Sequence, residues 1–499
     1  MCFMKNLLLI AILGLGLCSL AAAGAVKPPW APAYAGTAAA LAKGAAAPRT
    51  YQDTRHLLSS TFLQHLDQET VAAARQLVAA SLQVDPVSLP DGSELAGFPA
   101  ATQGTGLYRI TYQSVNAAGK PTVVSGLVAV PASDAAGGIV VYMHATTAER
   151  HNPPSELPLE AFGALTAFSG NDWVVVLPDY LGYGVNHDPH PFALGRLNAP
   201  AGRDIIPAVR ELLSRLGRQA GSDLFVTGYS EGGGNALWLG RLLQEGQDPT
   251  LRPQVVAAMS GPYDISGATA RSFQEEQPGY VDNLVEKPFF MAFAGVGAAQ
   301  VTGQPLDTLL RPEFARATAG LLPGLQWDEI VEGQLLSAAI LQSNYLDIPT
   351  LDPKPTRLLQ PGFMAAMNHH DRNNPTIRLW MENDNLDWTP TAPVYLLGVI
   401  QDAVVPFAGK GYPLPPAYGG IGAPYSGGNA ENLIRSMRAR GVDHTRIAWM
   451  GFDGAAPGPL GFPIQTMSHD EAFVPCVILA ARSFRAKRLA GLPMIPDPK

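Results

Sequence analysis

Residues 227–236 read "TGYSEGGGNA", with Ser230 and Glu231 set between glycines. The apolar run "DLFV" precedes this stretch and "ALWLGRLL" follows it. A serine hydroxyl is a poor nucleophile until a base takes its proton, and it must stand clear of its surroundings to meet a substrate. A strand that turns sharply into a helix exposes it in that way. The turn leaves little room for side chains two residues before and two after, where Gly228 and Gly232 stand. The first turn of the helix also presents free N–H groups and a partial positive charge. The Glu231 main-chain N–H is therefore placed to face a developing oxyanion. Because that donor is main chain, replacing Glu231 by alanine is expected to be mild.

This arrangement requires an acid and then a histidine, in that chain order, each after a later strand. Asp402 in "LLGVIQDAVVPF" and His469 in "TMSHDEAF" occupy those places. Asp264 in "SGPYD" also follows an apolar strand and is the rival acid. Asp470 adjoins His469 too closely to reach the inner ring nitrogen and reads as a helix cap. A second oxyanion donor is expected from the loop "YMHATTAER", as the N–H of Ala145 or Thr146, with His144 shaping that loop. His151, His187 and His190 lie in loops that a substrate could pass, and nothing in the sequence assigns them a role. His369, His370 and Asp371 in "MNHHDRNN" suggest a metal, but adjacent residues seldom converge on one ion and no third ligand has a recognisable spacing. They read as a solvated loop. Neither a metal nor a cofactor is expected.

The elements that must hold these residues are legible in order. "GLYRITYQSV" and "PTVVSGLVAVP" flank "NAAGK" as a hairpin. The short apolar runs "GGIVVYMHATT", "DWVVVLPDYLGYG", "DLFVTGYS" and "QVVAAMSGPYD" follow, with the amphipathic "RDIIPAVRELLSRLG" between the second and third of them. Such alternation implies a mostly parallel sheet with helices on both faces, and active residues at the carboxyl ends of its strands. The alternation stops after Asp264 and resumes at "APVYLLGVIQDAVVPF" and "TRIAWMGFDG". Residues 265–388 therefore read as a mainly helical cap inserted into a core of 105–264 and 389–499. Residues 26–104 form a lead-in, with a helical pattern from Asp53 to Leu82.

The whole chain has 499 residues, 47% hydrophobic and 15% charged, an ordinary balance with ample material for a core. Its net charge of −8, with no basic blocks, argues against nucleic acid as a partner. At the start, Lys5 precedes an apolar run from Leu7 to Leu20 and then small residues. This is the layout of an export signal, and residues 1–25 are assigned to it. Cys18 offers the alternative of a lipid anchor, though Leu17 stands where such signals resemble one another in having a small residue. Removal of the signal would leave Cys476 alone, so no internal disulfide is expected, and its apolar setting reads as a buried small hydrophobe.

These residues carry a resemblance. "GYSEGG" at the elbow, "PDYLGYG", "YMHATTAER" and "NLDWTPTAPVYLLGVIQDAVVP" make the chain similar to α/β-hydrolases, within them to exported bacterial serine esterases and lipases of the secretory lipase group. The likeness covers roughly residues 105–265 and 385–480. It implies an α/β-hydrolase fold, a triad of Ser230, Asp402 and His469, and a small-molecule or lipid ester as substrate, with transient contact at a lipid surface. The chain departs from the family's usual His-Gly in its oxyanion loop, which reads His144-Ala145, and its cap resembles no member closely. A prolyl-type peptidase, an acyltransferase and a non-enzymatic binding protein on the same scaffold are the alternatives.

Overall fold

The structure is a computed structural model, and the residues it describes are 56–80, 100–246, 248–273, 281–318, 346–347, 352–353, 358–399, 402, 404–405, 428–442, 447–452, 469 and 472–486. The proposed signal segment, Cys18 and Asp470 lie outside them.

Short apolar β-formers with no polar alternation can only be strands if both of their faces are covered. Such runs build the middle of a nine-stranded sheet. Its strands are β1 (Leu57–Leu66), β2 (Thr105–Val115), β3 (Pro121–Pro131), β4 (Ala135–Met143), β5 (Trp173–Pro178), β6 (Gln219–Tyr229), β7 (Val255–Met259), β10 (Val394–Val399) and β11 (Ile447–Phe452). A separate two-stranded ribbon joins β8 (Leu346–Asp347) to β9 (Asp352–Pro353). The order across the large sheet is β1-β2-β3-β5-β4-β6-β7-β10-β11. The pairs from β4 with β5 through β10 with β11 are parallel, whereas β1 with β2, β2 with β3 and β3 with β5 are antiparallel. The β2–β3 hairpin forms as its sequence requires. Asn116 N–H donates to Lys120 O, and Gly119 takes the left-handed φ of 73° that closes the turn.

Helices cover both faces. They are α1 (Gln68–Ala80), α2 (Leu159–Phe168), α3 (Gly195–Arg215), α4 (Glu231–Glu245), α5 (Val281–Thr302), α6 (Pro312–Thr318), α7 (Pro361–Asn368), α8 (Pro375–Asn383), α9 (Asn429–Ala439) and α10 (Phe473–Ala486). On one face Ile205 and Val209 of α3, Leu237 of α4 and Leu433 of α9 share one buried core with Val141, Val176 and Val226. On the other, Val71 of α1, Phe168 of α2 and Phe484 of α10 share a second buried core with Val140, Val175 and Phe225. The alternation along β4, β5 and β6 sends successive apolar side chains to opposite cores. Each such side chain, fully buried, contributes about 1.5–3 kcal/mol. Cys476 lies within the second core, where burial, with the Asp402 carboxylate second, pushes its thiol well up.

A third apolar cluster joins the segment after Asp264 to the carboxyl edge of the sheet. Phe289 and Phe293 of α5, Phe363 of α7 and Trp380 of α8 pack with Ala148, Phe192 and Leu194 from the loops after β4 and β5. Two prolines of this segment start helices, Pro361 and Pro375 at the first helical position, whereas Pro288 lies within α5.

One expectation fails. The helical pattern from Asp53 to Leu82 holds only for α1, because Leu57–Leu66 is an edge strand paired antiparallel with β2. "LLSSTFLQHL" spaces its apolar residues as a helix could, and only the free edge of β2 decides otherwise. Two register irregularities interrupt the pairing and Phe62 stays exposed, features that suit an edge. Among the described residues no helix is long and apolar enough to cross a membrane.

Candidate active site

Strand β6 runs straight into α4, and Ser230 is the residue between them. Its backbone sits at φ 56°, ψ −122°, a region that costs a non-glycine residue about 1–3 kcal/mol and persists only where neighbours impose it. The neighbours do so here. Ser230 N–H donates to Met259 O at the end of β7, at 2.9 Å, and Gly233 N–H donates back to Ser230 O at 2.8 Å. A Cβ at Gly228 would lie 2.3 Å from Gly232 O, and one at Gly232 would lie 2.0 Å from Met143 O. Both elbow glycines thus stand where only a bare backbone fits.

His469 and Asp402, far apart in sequence, meet at this edge. The His469 Nδ1 to Asp402 Oδ2 distance is 2.5 Å, and both residues are buried. The other carboxylate oxygen, Oδ1, accepts the N–H groups of Val404 at 2.9 Å and Val405 at 2.7 Å, the pattern of an ionised carboxylate. Tyr229, the residue before Ser230, holds the histidine: its hydroxyl donates to the His469 carbonyl and its ring lies 5.2 Å from the imidazole. Phe473, at the start of α10, packs edge-on against Tyr229. The structure therefore brings His469 to Asp402 and sets both beside the elbow.

The rival acid is engaged elsewhere. The Asp264 carboxylate accepts Ala268 N–H at 2.9 Å and Asn432 Nδ2–H at 2.6 Å, capping the turn Ile265–Thr269. Close by, Asp384 accepts Ser266 N–H and Ser266 Oγ–H. Burial, then the charge of Asp264, pushes the Asp384 carboxyl up to about 7.

The loop after β4 needs a correction. Ala145 is not a free donor, because its N–H is bonded to Glu160 Oε1 at 2.7 Å, the same oxygen that accepts the Tyr142 hydroxyl. The main chain at Ala145 is thus tied back toward α2, which withdraws one of the two donors expected from this loop. His144 shapes the loop as expected. Its ring nitrogens face two carbonyls, Nδ1 to Ala145 O at 2.7 Å and Nε2 to Asp179 O at 3.3 Å. Its ring stacks on Tyr180 with centroids 4.0 Å apart. Burial pulls this imidazole down to about 4.

Glu231 has a second role besides its main-chain N–H. Its side chain is buried, and Oε1 receives Ala193 N–H at 3.1 Å, Asn198 Nδ2–H at 3.3 Å and His190 Nε2 at 3.1 Å. Truncation to alanine would strand these donors and cost about 1–3 kcal/mol of stability, a role for the side chain that the main-chain reading did not include. His190 was one of three loop histidines without a role; no local pattern marks it, since its partner lies 41 residues away. His369 and His370 are both exposed at the end of α7.

A nine-stranded, largely parallel sheet with helices on both faces, a serine elbow after β6 and a helical segment at its carboxyl edge has the architecture of the α/β-hydrolase fold. Known structures agree. The chain is similar to the rice cell wall degrading esterase LipA of Xanthomonas oryzae, with 21% identity and a TM-score of 0.64 over 87% of this chain and 99% of that one. A Legionella pneumophila protein provisionally assigned as a hydrolase gives 23% identity and a TM-score of 0.65 over 87% and 98%. Lipase A of Candida antarctica in its closed state gives 14% identity and a TM-score of 0.52 over 89% and 85%. No protein-family model matches the chain, and no curated protein sequence does.

Proposed function

We propose that the protein is a serine carboxylic-ester hydrolase working through an acyl-enzyme on Ser230. The observation that carries this reading is the His469–Asp402 pair at 2.5 Å, lying against Tyr229 beside a serine held at positive φ. His469 takes the Ser230 proton as Oγ bonds to the ester carbonyl carbon, and the carbonyl electron pair moves onto its oxygen. The N–H groups of Glu231 and Thr146 hold that oxyanion. The imidazolium gives its proton to the leaving alkoxide, and Asp402 keeps the ring oriented and its charge balanced. Water, deprotonated by His469, then attacks the acyl carbon; the acid leaves and the proton returns to Ser230. The esterase and lipase named among the structural neighbours support the same class. Residues 1–25 are proposed as an export signal, with an ester, small or lipidic, as the substrate outside the cytoplasm.

A panel of nitrophenyl esters of graded acyl length tests the reading. Ser230→Ala should lower kcat by about 10⁶, leaving about 10³ over water. Equal turnover by Ser230→Ala would refute the nucleophile. Faster cleavage of a dipeptide amide than of an aryl ester would move the protein to the peptidases.

A further inference from the structure

The Glu231 carboxylate is a negative charge one residue from the nucleophile, on the residue whose N–H is to stabilise another negative charge. Left uncompensated in a site shielded from water, it would oppose the oxyanion. His190 supplies the compensation. Its Nδ1 faces Leu181 O at 2.9 Å, an atom that can only accept, so Nδ1 carries a proton. Its Nε2 faces Glu231 Oε1, which already accepts from Ala193 and Asn198 as an ionised carboxylate does. The ring therefore donates from both nitrogens, and the two fully buried groups form a neutral pair.

The histidine also touches the other half of the site. Tyr183 meets it edge-on, with centroids 4.6 Å apart, and donates its hydroxyl to Thr147 O. Tyr180 lies parallel to it at 6.3 Å and donates to His144 O at 3.0 Å. These two hydroxyls hold the loop on either side of Ala145 and Thr146. On its cap side His190 lies 5.6 Å from Phe293, while Phe192, two residues on, stacks with Phe293 at 4.3 Å. Cap helix α5 approaches so closely that a Cβ at Gly297 would lie 3.0 Å from Phe192 N.

We propose that the buried His190–Glu231 pair is the positioning device of the oxyanion site, fixing the Glu231 N–H from one side and, through Tyr180 and Tyr183, the 144–147 loop from the other. This rests on the ester-hydrolase reading above. Neither His190 nor the Glu231 carboxylate touches the reacting atoms; both act through main-chain donors and charge balance.

The test measures kcat and KM on a nitrophenyl ester, and the rate of Ser230 labelling by a fluorophosphonate, whose addition builds negative oxygen in the same place. His190→Gln leaves a buried carboxylate without its counter-charge, and should lower kcat and the labelling rate together by about 10²-fold with KM little changed. Adding Glu231→Gln removes the stranded charge and should recover roughly tenfold of that loss. A pair that serves only folding predicts the opposite, a double variant no faster than His190→Gln. Should His190→Gln fail to fold, Tyr183→Phe keeps the ring against His190 and loses only the bond to Thr147; it should cost about tenfold in kcat and labelling at unchanged KM. Wild-type kcat in folded His190→Gln, or in Tyr183→Phe where that variant stands in, would overturn the proposal while leaving the hydrolase intact. A wild-type protein that neither turns over the ester panel nor is labelled at Ser230 would sink the hydrolase reading and this proposal with it.

Discussion

Asp402 and Asp264 begin as near equals. Each follows an apolar parallel strand, β10 and β7, which are hydrogen-bonded neighbours, and each is buried at the same edge of the sheet. Their partners make them different. Asp402 spends one oxygen on two backbone N–H groups and turns the other to His469. Asp264 turns its side chain to Ala268 and Asn432, while its own N–H and that of Tyr263 donate to Asn429. It thereby ties the start of the inserted segment to α9, with Asp384 from the far end of that segment close enough to feel its charge. A carboxylate at a strand's end is a position; its role comes from what the neighbouring chain brings to it.

Three variants can break or sharpen this contrast. The largest effect is expected from Asp402→Asn, which preserves shape but removes the charge that holds the imidazole: kcat on a nitrophenyl ester should fall by about 10⁴. Asp264→Asn should leave kcat within about tenfold but destabilise the fold by about 1–3 kcal/mol in urea unfolding, since the charge that strengthens the bonds from Ala268 and Asn432 is lost and the second buried oxygen becomes an NH2 group. If their kinetic effects were reversed, the assignment of the acid would fall. The smallest effect belongs to Asp384. Its folded carboxyl is raised from 3.8 to about 7, so the native state binds its proton more tightly than the unfolded chain. The resulting stability is complete below about pH 4, declines as pH rises to about 7 and is gone above. Asp384→Asn should flatten that part of the melting-temperature profile; an unchanged slope would place the titration elsewhere.

Much of this was legible beforehand because it is local. Apolar runs of strand length, the hairpin around "NAAGK" and glycines flanking Ser230 are short-range signals, and the elements appear where they imply. The chain order of serine, acid and histidine pointed to the pair that the sheet unites. Three features were not legible. Leu57–Leu66 becomes a strand only because β2 offers it an edge. The Ala145 N–H is withdrawn by Glu160, fifteen residues on, whose reach depends on how α2 packs. The pairing of His190 with Glu231 is made by the loop entering α3, and neither residue carries a sign of it.

By itself, the sequence determined the alternating architecture, the strained serine turn and the candidate triad, since steric limits and apolar periodicity act over a few residues. Only the tertiary structure decided which acid meets the histidine, which N–H of the β4 loop is withdrawn and which second histidine is buried against Glu231. Hydrogen bonds and charge compensation are set by distances in space, and those distances exist only once the sheet and the helices around it have packed together.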